Sequence, residues 1–276
     1  RYTMVHDFVA GDYMWTGIDY LGEANWPQRS AGCGCLDTCG FEKDAFYFYK
    51  SVWNQNEKFA YLCPHWNLKL EKGTVLPVIC YTNCEDAELF VNGRSFGMKS
   101  KGFPCYGMTE RYGHFDRYRR PANTDDLFLS WDVPYEPGKI EVVGYHDGKE
   151  VCRYNVETTG EAAAIKLTVD KTSVDADGRS VVQAEVRILD SEGHLVFDAC
   201  PELNFTLEGE GEIIGIDNGD PACHEQWKET KGRHAFNGMA YAVIRAGQNK
   251  GELTLTVQAS GVDAAIGKAS VTISQK

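Results

Sequence analysis

The sequence predicts a mainly β protein: two immunoglobulin-like β-sandwiches preceded by a βα remnant of a TIM barrel. Three observations predict it. An apolar run, Phe8 to Glu23, breaks at Trp15-Thr16-Gly17 and turns polar, as a strand buried under helices on both faces does. Short β-rich segments with frequent turn signals then fill residues 74–156. The same texture restarts at Ala163 and runs to the end of the chain.

The first division spans residues 1–56. After the strand, residues 24–44 read as loop, with Asn25-Trp26-Pro27 and glycines at 32, 34 and 40. A helix is expected from Asp44, in N-cap position, to Trp53, with Phe46, Tyr49, Lys50 and Trp53 along one face. Strand, long loop and helix make one βα unit, the repeating piece of a (β/α)8 barrel. A parallel strand needs parallel partners, and nothing beside it supplies them, so the chain is expected to begin inside a barrel.

The second division, residues 57–160, is read as an immunoglobulin-like β-sandwich. Strands are expected at Thr74–Tyr81 and Leu127–Val133. One hairpin turns at Asn92-Gly93, the strongest short-range hairpin signal, and another at Asp147-Gly148. Residues 98–126 interrupt the pattern with a long loop carrying Arg117, Tyr118, Arg119 and Arg120. The third division, residues 161–276, reads as a second immunoglobulin-like sandwich of about 100 residues. Its strands are expected near 165–170, 180–189, 203–207, 211–216, 238–245, 251–259 and 269–273.

The formal net charge of −12 over 276 residues argues against nucleic-acid or anionic-membrane binding as the main task. The last 116 residues, with 11 basic against 18 acidic side chains, hold most of that charge. No window approaches the roughly eighteen unbroken apolar residues of a membrane span. Residues 1–7 have no apolar signal-peptide core, and a start at Arg1 fits an excised piece, which leaves the compartment open.

Ten cysteines could form disulfides, but a chain of this size builds its own cores. Reduced thiols acting as small apolar residues are the reading adopted. Cys33, Cys35 and Cys39 invite a metal reading, but no second pair with zinc spacing follows, so no metal and no cofactor is expected. Asp217, Asn218 and Asp220 could hold a cation, but Asp-Asn-Gly-Asp-Pro is first of all a turn.

These motifs, in this order, resemble the C-terminal part of glycoside hydrolase family 2, the β-galactosidase-like enzymes. The run from Phe8 to Glu23 resembles the eighth barrel strand of bacterial members, and Gly40-Phe41-Glu42-Lys43-Asp44 with Tyr49 to Trp53 resembles the last loop and helix. Pro64-His65-Trp66-Asn67, Glu88 to Gly93 and Trp131 to Gly138 resemble the sandwich that follows the barrel. Ala176-Asp177-Gly178, Gly215 to Pro221 and Ala235 to Gly238 resemble the extra sandwich of longer members.

The resemblance implies a retaining mechanism with two glutamates about 5–5.5 Å apart. In the family these lie on earlier barrel strands, and this chain starts after them. Asp12, Asp19, Glu23 and Asp37 are among the acids of the barrel piece, and no pair of them matches a catalytic motif. The chain alone is therefore expected to be inactive. The resemblance places Trp15 at the wall of the subsite for the sugar to be cleaved, against a plain core tryptophan as the bland alternative. Asn25 and Trp26 are weaker candidates for an outer subsite.

Family β-glucuronidases carry an Asn-x-Lys in the loop after this strand. Here the loop reads Trp26-Pro27-Gln28-Arg29-Ser30-Ala31-Gly32. That favours a neutral sugar, most simply galactose, although Arg29 could still meet an anion. The partner implied is a carbohydrate substrate, and the bare edges of a barrel remnant favour association into a homo-oligomer. The alternative is a non-catalytic carbohydrate-binding or adhesion module, against which the buried strand speaks, since such a module has no use for it.

Overall fold

A computed structural model describes residues 2–101, 127–226, 228 and 232–276. In chain order the elements are α1 (Tyr2–Val5), β1 (Tyr20–Leu21), β2 (Ser30–Ala31), α2 (Asp44–Trp53), β3 (Ala60–Cys63), β4 (Val75–Thr82), β5 (Asp86–Val91) and β6 (Arg94–Ser100). They continue with β7 (Leu129–Pro134), β8 (Lys139–His146), β9 (Lys149–Glu157), β10 (Ala164–Val169), β11 (Ser173–Val174), β12 (Val181–Leu189) and β13 (Glu202–Glu208). The last are β14 (Gly211–Asp217), β15 (Gly232–His234), β16 (Met239–Ala246), β17 (Gly251–Ala259) and β18 (Lys268–Gln275). The chain folds as two compact units, one of residues 1–17 and 42–158, the other of residues 18–41 and 159–276.

The first unit holds a three-stranded sheet, β3-β4-β7, and a four-stranded sheet, β6-β5-β8-β9. Alternation explains the pairing: in β5 the inward residues Ala87, Leu89 and Val91 are buried while their neighbours are not. They share a core with Trp66, Val78, Trp131, Ile140 and Val142. Both buried indoles satisfy their N–H: Trp66 donates to the Glu136 carbonyl at 2.9 Å and Trp131 to the Gly97 carbonyl at 3.0 Å. Asn92 (φ 48°) and Gly93 (φ 79°) make the turn between β5 and β6, and Asp147 and Gly148 that between β8 and β9. Two consecutive left-handed residues give a hairpin turn whose twist matches its strands.

The second unit pairs a four-stranded sheet, β10-β12-β16-β14, with a five-stranded one, β11-β18-β17-β13-β15. Its core is small and β-branched: Val182, Ala184, Val186 and Ile188 of β12 face Leu253, Leu255 and Val257 of β17, with Leu203 and Phe205 of β13. Sequence alternation located the long strands. It missed β3, β11 and β15, which have four residues or fewer and too little period to register.

Two expectations change. Residues 8–17 form no strand: Phe8 is 79 % exposed and Tyr13 fully exposed. A strand is made by its neighbours' hydrogen bonds, and among the described residues none lies alongside. Beyond it, Tyr20–Leu21 pairs antiparallel with Ser30–Ala31, and Ile18 makes a single parallel bridge to Leu36. The helix spans Asp44–Trp53 as expected, but Lys43 is the N-cap and the packed face differs. Ser51 is buried, Tyr47 stacks on Tyr61 at 3.6 Å, Phe48 meets Tyr81 edge-on, and Trp53 is exposed. Aromatic residues on every side of the helix left its face undetermined by spacing. The Arg117, Tyr118, Arg119 and Arg120 cluster lies outside the described residues.

Candidate functional site

Trp15 belongs to the first unit, and its indole is 71 % exposed, so it is not a core tryptophan there. The Trp15–Thr16 peptide is cis. Asn25 and Trp26 belong to the second unit, where both are exposed, Trp26 at 83 %.

The segment carrying Asn25 and Trp26, residues 18–41, is held on the second sandwich by polar contacts. Asp19 is buried; its backbone N–H donates to the Leu36 carbonyl at 2.9 Å and its carboxylate accepts the Gly34 N–H at 2.6 Å. Gly34 is required there, because a Cβ would lie 2.3 Å from the Asp19 nitrogen and 2.6 Å from the Leu36 oxygen. Asp37 accepts the N–H groups of Cys39 and Phe41 at 2.8 and 2.9 Å. Its burial nevertheless raises its pKa above the ordinary aspartate value, and Asp19 and Asp217 add to the rise.

Arg29 donates through Nη2 to both oxygens of Asp217, at 2.9 and 3.1 Å, and its backbone N–H donates to the Pro221 carbonyl at 2.8 Å. Asp217 also accepts from Nη2 of Arg233 at 2.5 Å, and the Arg233 side chain is 1 % exposed. One carboxylate thus serves two guanidiniums, a charge-assisted arrangement in a partly desolvated place. Above it, Trp26 stacks on His224, 4.8 Å between centroids, and Nε2 of His224 lies 2.7 Å from the Pro27 carbonyl. Between this segment and the β14–β16 face is a cavity of about 420 Å³, lined by Tyr20, Arg29, Cys39, Ile214, Asp217 and Tyr241 among others.

These contacts revise the sequence reading of several residues. Arg29 meets an anion, but that anion is Asp217. Asp217 is neutralised by two arginines and so does not offer itself to a cation. Asn218 to Asp220 form a turn: Gly219 has φ 76° and the Asp220 N–H donates to the Asn218 side chain at 3.1 Å. Cys33 is exposed, Cys35 buried and Cys39 half-buried; burial, then Asp217 and Asp37, push the Cys39 thiol far up, against the thiolate a metal requires. Asp12 accepts from Thr3 Oγ1 at 2.9 Å and Glu23 from the Tyr20 hydroxyl, so Asp12, Asp19, Glu23 and Asp37 all make local structural contacts. His224 was not legible as a partner of this segment, since it lies 197 residues along the chain from Pro27, whose carbonyl it meets.

Comparison with known proteins agrees with this architecture. The family described as glycoside hydrolase family 2 C-terminal domain 5 matches residues 165–267, and a domain of unknown function, DUF4982, matches residues 73–152. A Bacteroides ovatus protein, beta-galactosidase BoGH2A, is 37% identical over 96% of this chain and 29% of its own length. A putative beta-glucuronidase of Formosa agariphila is 30% identical over 86% of this chain and 22% of its own. Among solved structures, a beta-glycosidase from Bacteroides vulgatus superposes with TM-score 0.78 at 32% identity, covering 94% of this chain and 30% of that one. A glycosyl hydrolase family 2 member from Bacteroides cellulosilyticus superposes with TM-score 0.84 at 27% identity, covering 98% and 36%. The chain thus spans under a third of the length of these sequence relatives. On these matches and its β-sandwich architecture, the chain belongs to glycoside hydrolase family 2, in the region of that family's C-terminal domains.

Proposed function

We propose that the chain is the C-terminal portion of a retaining β-glycosidase acting on a neutral β-glycoside, most simply a β-galactoside. Residues 1–56 would be the last βα unit of its barrel, and Trp15 the aromatic wall of the subsite for the cleaved sugar. The observation that supports this reading is that Trp15, in the run that resembles the last barrel strand, and Trp26, in the loop after it, are exposed, as is Trp53 on the helix, while Trp66 and Trp131 are buried with their N–H groups satisfied. An exposed indole offers an apolar face to the C–H face of a pyranose, while neighbouring polar groups take its hydroxyls.

The sugar preference rests on Arg29. A uronate carboxylate needs a cation, and the basic side chain of the Trp26–Gly32 loop is already engaged by Asp217. Asn25 and Trp26, on the segment held by Arg29 and His224, would border an outer subsite. Asp12, Asp19, Glu23 and Asp37 have local roles, and on this reading the portion brings no catalytic pair and contributes binding surface.

The test is hydrolysis of p-nitrophenyl β-galactoside and β-glucuronide by the full-length protein containing this chain, beside Trp15→Ala. Loss of a stacked indole removes about 2 kcal/mol, which lowers kcat/KM on the galactoside on the order of 30-fold. Faster turnover of the glucuronide, or an unchanged Trp15→Ala enzyme, would overturn the proposal.

A further inference from the structure

We propose that Cys84 and Cys152 of the first unit are a redox site, two thiols placed to close into an intramolecular disulfide. Their sulfurs lie 3.5 Å apart although 68 residues separate them in sequence. Closing to the bond length of about 2.05 Å needs the sulfurs to approach by about 1.5 Å. Cys84 lies in the turn between β4 and β5; Cys152 lies in β9, directly opposite Gly144 of β8.

The room for both sulfurs is built in. A Cβ on Gly144 would stand 2.6 Å from the Cys152 sulfur and 2.7 Å from the Cys84 sulfur. Gly144 is not among the residues in the left-handed region, so it is the space above its Cα, and not its backbone conformation, that calls for glycine. Hydrogen bonds fix the turn that carries Cys84. Its backbone N–H donates to Thr82 Oγ1 at 3.0 Å, and Lys101, itself buried, donates its Nζ to the Thr82 carbonyl. The contact with Cys152 lowers the Cys84 pKa, supported by Thr82 and by the charges of Lys58 and His146, while the same contact raises that of Cys152. The two sulfurs thus stand as a donor and acceptor pair, with the thiolate favoured on Cys84. Cys63 and Cys80, by contrast, are pushed up to about 12 by burial, as inert core thiols are.

The chemistry needs an external oxidant, here a low-molecular-weight disulfide. Cys84 is 1 % exposed and Cys152 only half-buried, so the reagent meets Cys152. Cys152 passes its proton to Cys84 and attacks one sulfur of the reagent, releasing one small thiolate and leaving a mixed disulfide on Cys152. Cys84 then gives up that proton to the released thiolate and attacks the Cys152 sulfur, expelling the second small thiolate. Two protein thiols are oxidised and one small disulfide is reduced to two thiols.

The test is to incubate the chain with oxidised glutathione or with dithiothreitol, then measure intact mass, titrate thiols and map peptides under non-reducing conditions. The expected result after glutathione is a mass lower by two hydrogens, a thiol count reduced by two from ten, and a Cys84–Cys152 cross-linked peptide. Cys152→Ser and Gly144→Ala should each abolish that peptide, the first by removing a sulfur and the second by parting the two. If a variant does not fold, the wild-type peptide map decides alone. A glutathione adduct that persists on Cys152, two unchanged thiols at 84 and 152, or a cross-link between other cysteines would overturn the proposal.

Discussion

Asp217→Ala is the sharpest perturbation of the second unit. It deletes the carboxylate that two guanidiniums share, and the two are unequally buried: the Arg233 side chain is 1 % exposed and that of Arg29 is 16 % exposed. Removing one partner of a buried ion pair leaves an uncompensated charge and costs about 3–5 kcal/mol. Arg233 keeps a bond from Nη1 to the Glu225 carbonyl at 2.7 Å, and Asp217 is 24 % exposed, so the low end, about 3 kcal/mol, applies. At roughly 3 °C per kcal/mol for a unit of this size, the transition of the second unit falls by about 9 °C. Arg29→Ala leaves Asp217 paired with Arg233 and costs only about 1 kcal/mol, or about 3 °C. Differential scanning calorimetry of both variants and the double variant measures these shifts and the Arg29–Asp217 coupling. A shift under about 2 °C for Asp217→Ala, or a larger one for Arg29→Ala, would refute the claim that a buried, shared carboxylate holds the segment.

Three further outcomes follow from the same contacts. Asp37→Asn keeps an acceptor for the Cys39 and Phe41 N–H groups and removes a buried charge. Because the folded Asp37 pKa is raised, its contribution is present below the unfolded value near 3.8 and is lost as pH rises through the folded value. Asp37→Asn should therefore raise the melting temperature at pH 7 relative to the parent, with the gain vanishing near pH 3.5; a gain that grows on acidification would contradict this. Gly34→Ala forces a Cβ onto backbone atoms and should cost on the order of 3 kcal/mol, releasing the segment to limited proteolysis within residues 18–41. Unchanged cleavage in that segment would argue against its docking. Phe205→Ala, in the second core, should cost about 3–5 kcal/mol in urea unfolding, and a loss under about 1 kcal/mol would show that the core repacks around it.

The sandwiches were readable because alternation and turn chemistry are local. The pattern in β5 and the pairs Asn92-Gly93 and Asp147-Gly148 specify strand, face and turn within a few residues. The apolar run at Phe8–Trp15 was readable as a strand only in composition, since pairing is a property of neighbours, and there the structure shows exposed coil. The helix was found by its bounds but not its face, because Phe46, Tyr47, Phe48 and Tyr49 make every side apolar. The aromatic candidates Trp15 and Trp26 came from resemblance, while the contacts that hold the Trp26 segment came from the structure. Arg29 pairs with Asp217 across 188 residues, and no local pattern encodes such a contact. The Cys84–Cys152 contact was hidden likewise, two thiols among ten until Gly144 is seen beneath them.

The proposed function has this chain supply binding surface and β-sandwich domains to a β-glycosidase, and no catalytic pair. The most direct measurement is release of p-nitrophenol from the β-galactoside by the purified chain, with the full-length protein assayed beside it at equal molarity. The account predicts turnover by the full-length protein and a rate indistinguishable from buffer for the chain alone. Turnover by the chain above that background, abolished by replacing one of its own carboxylates, would contradict it.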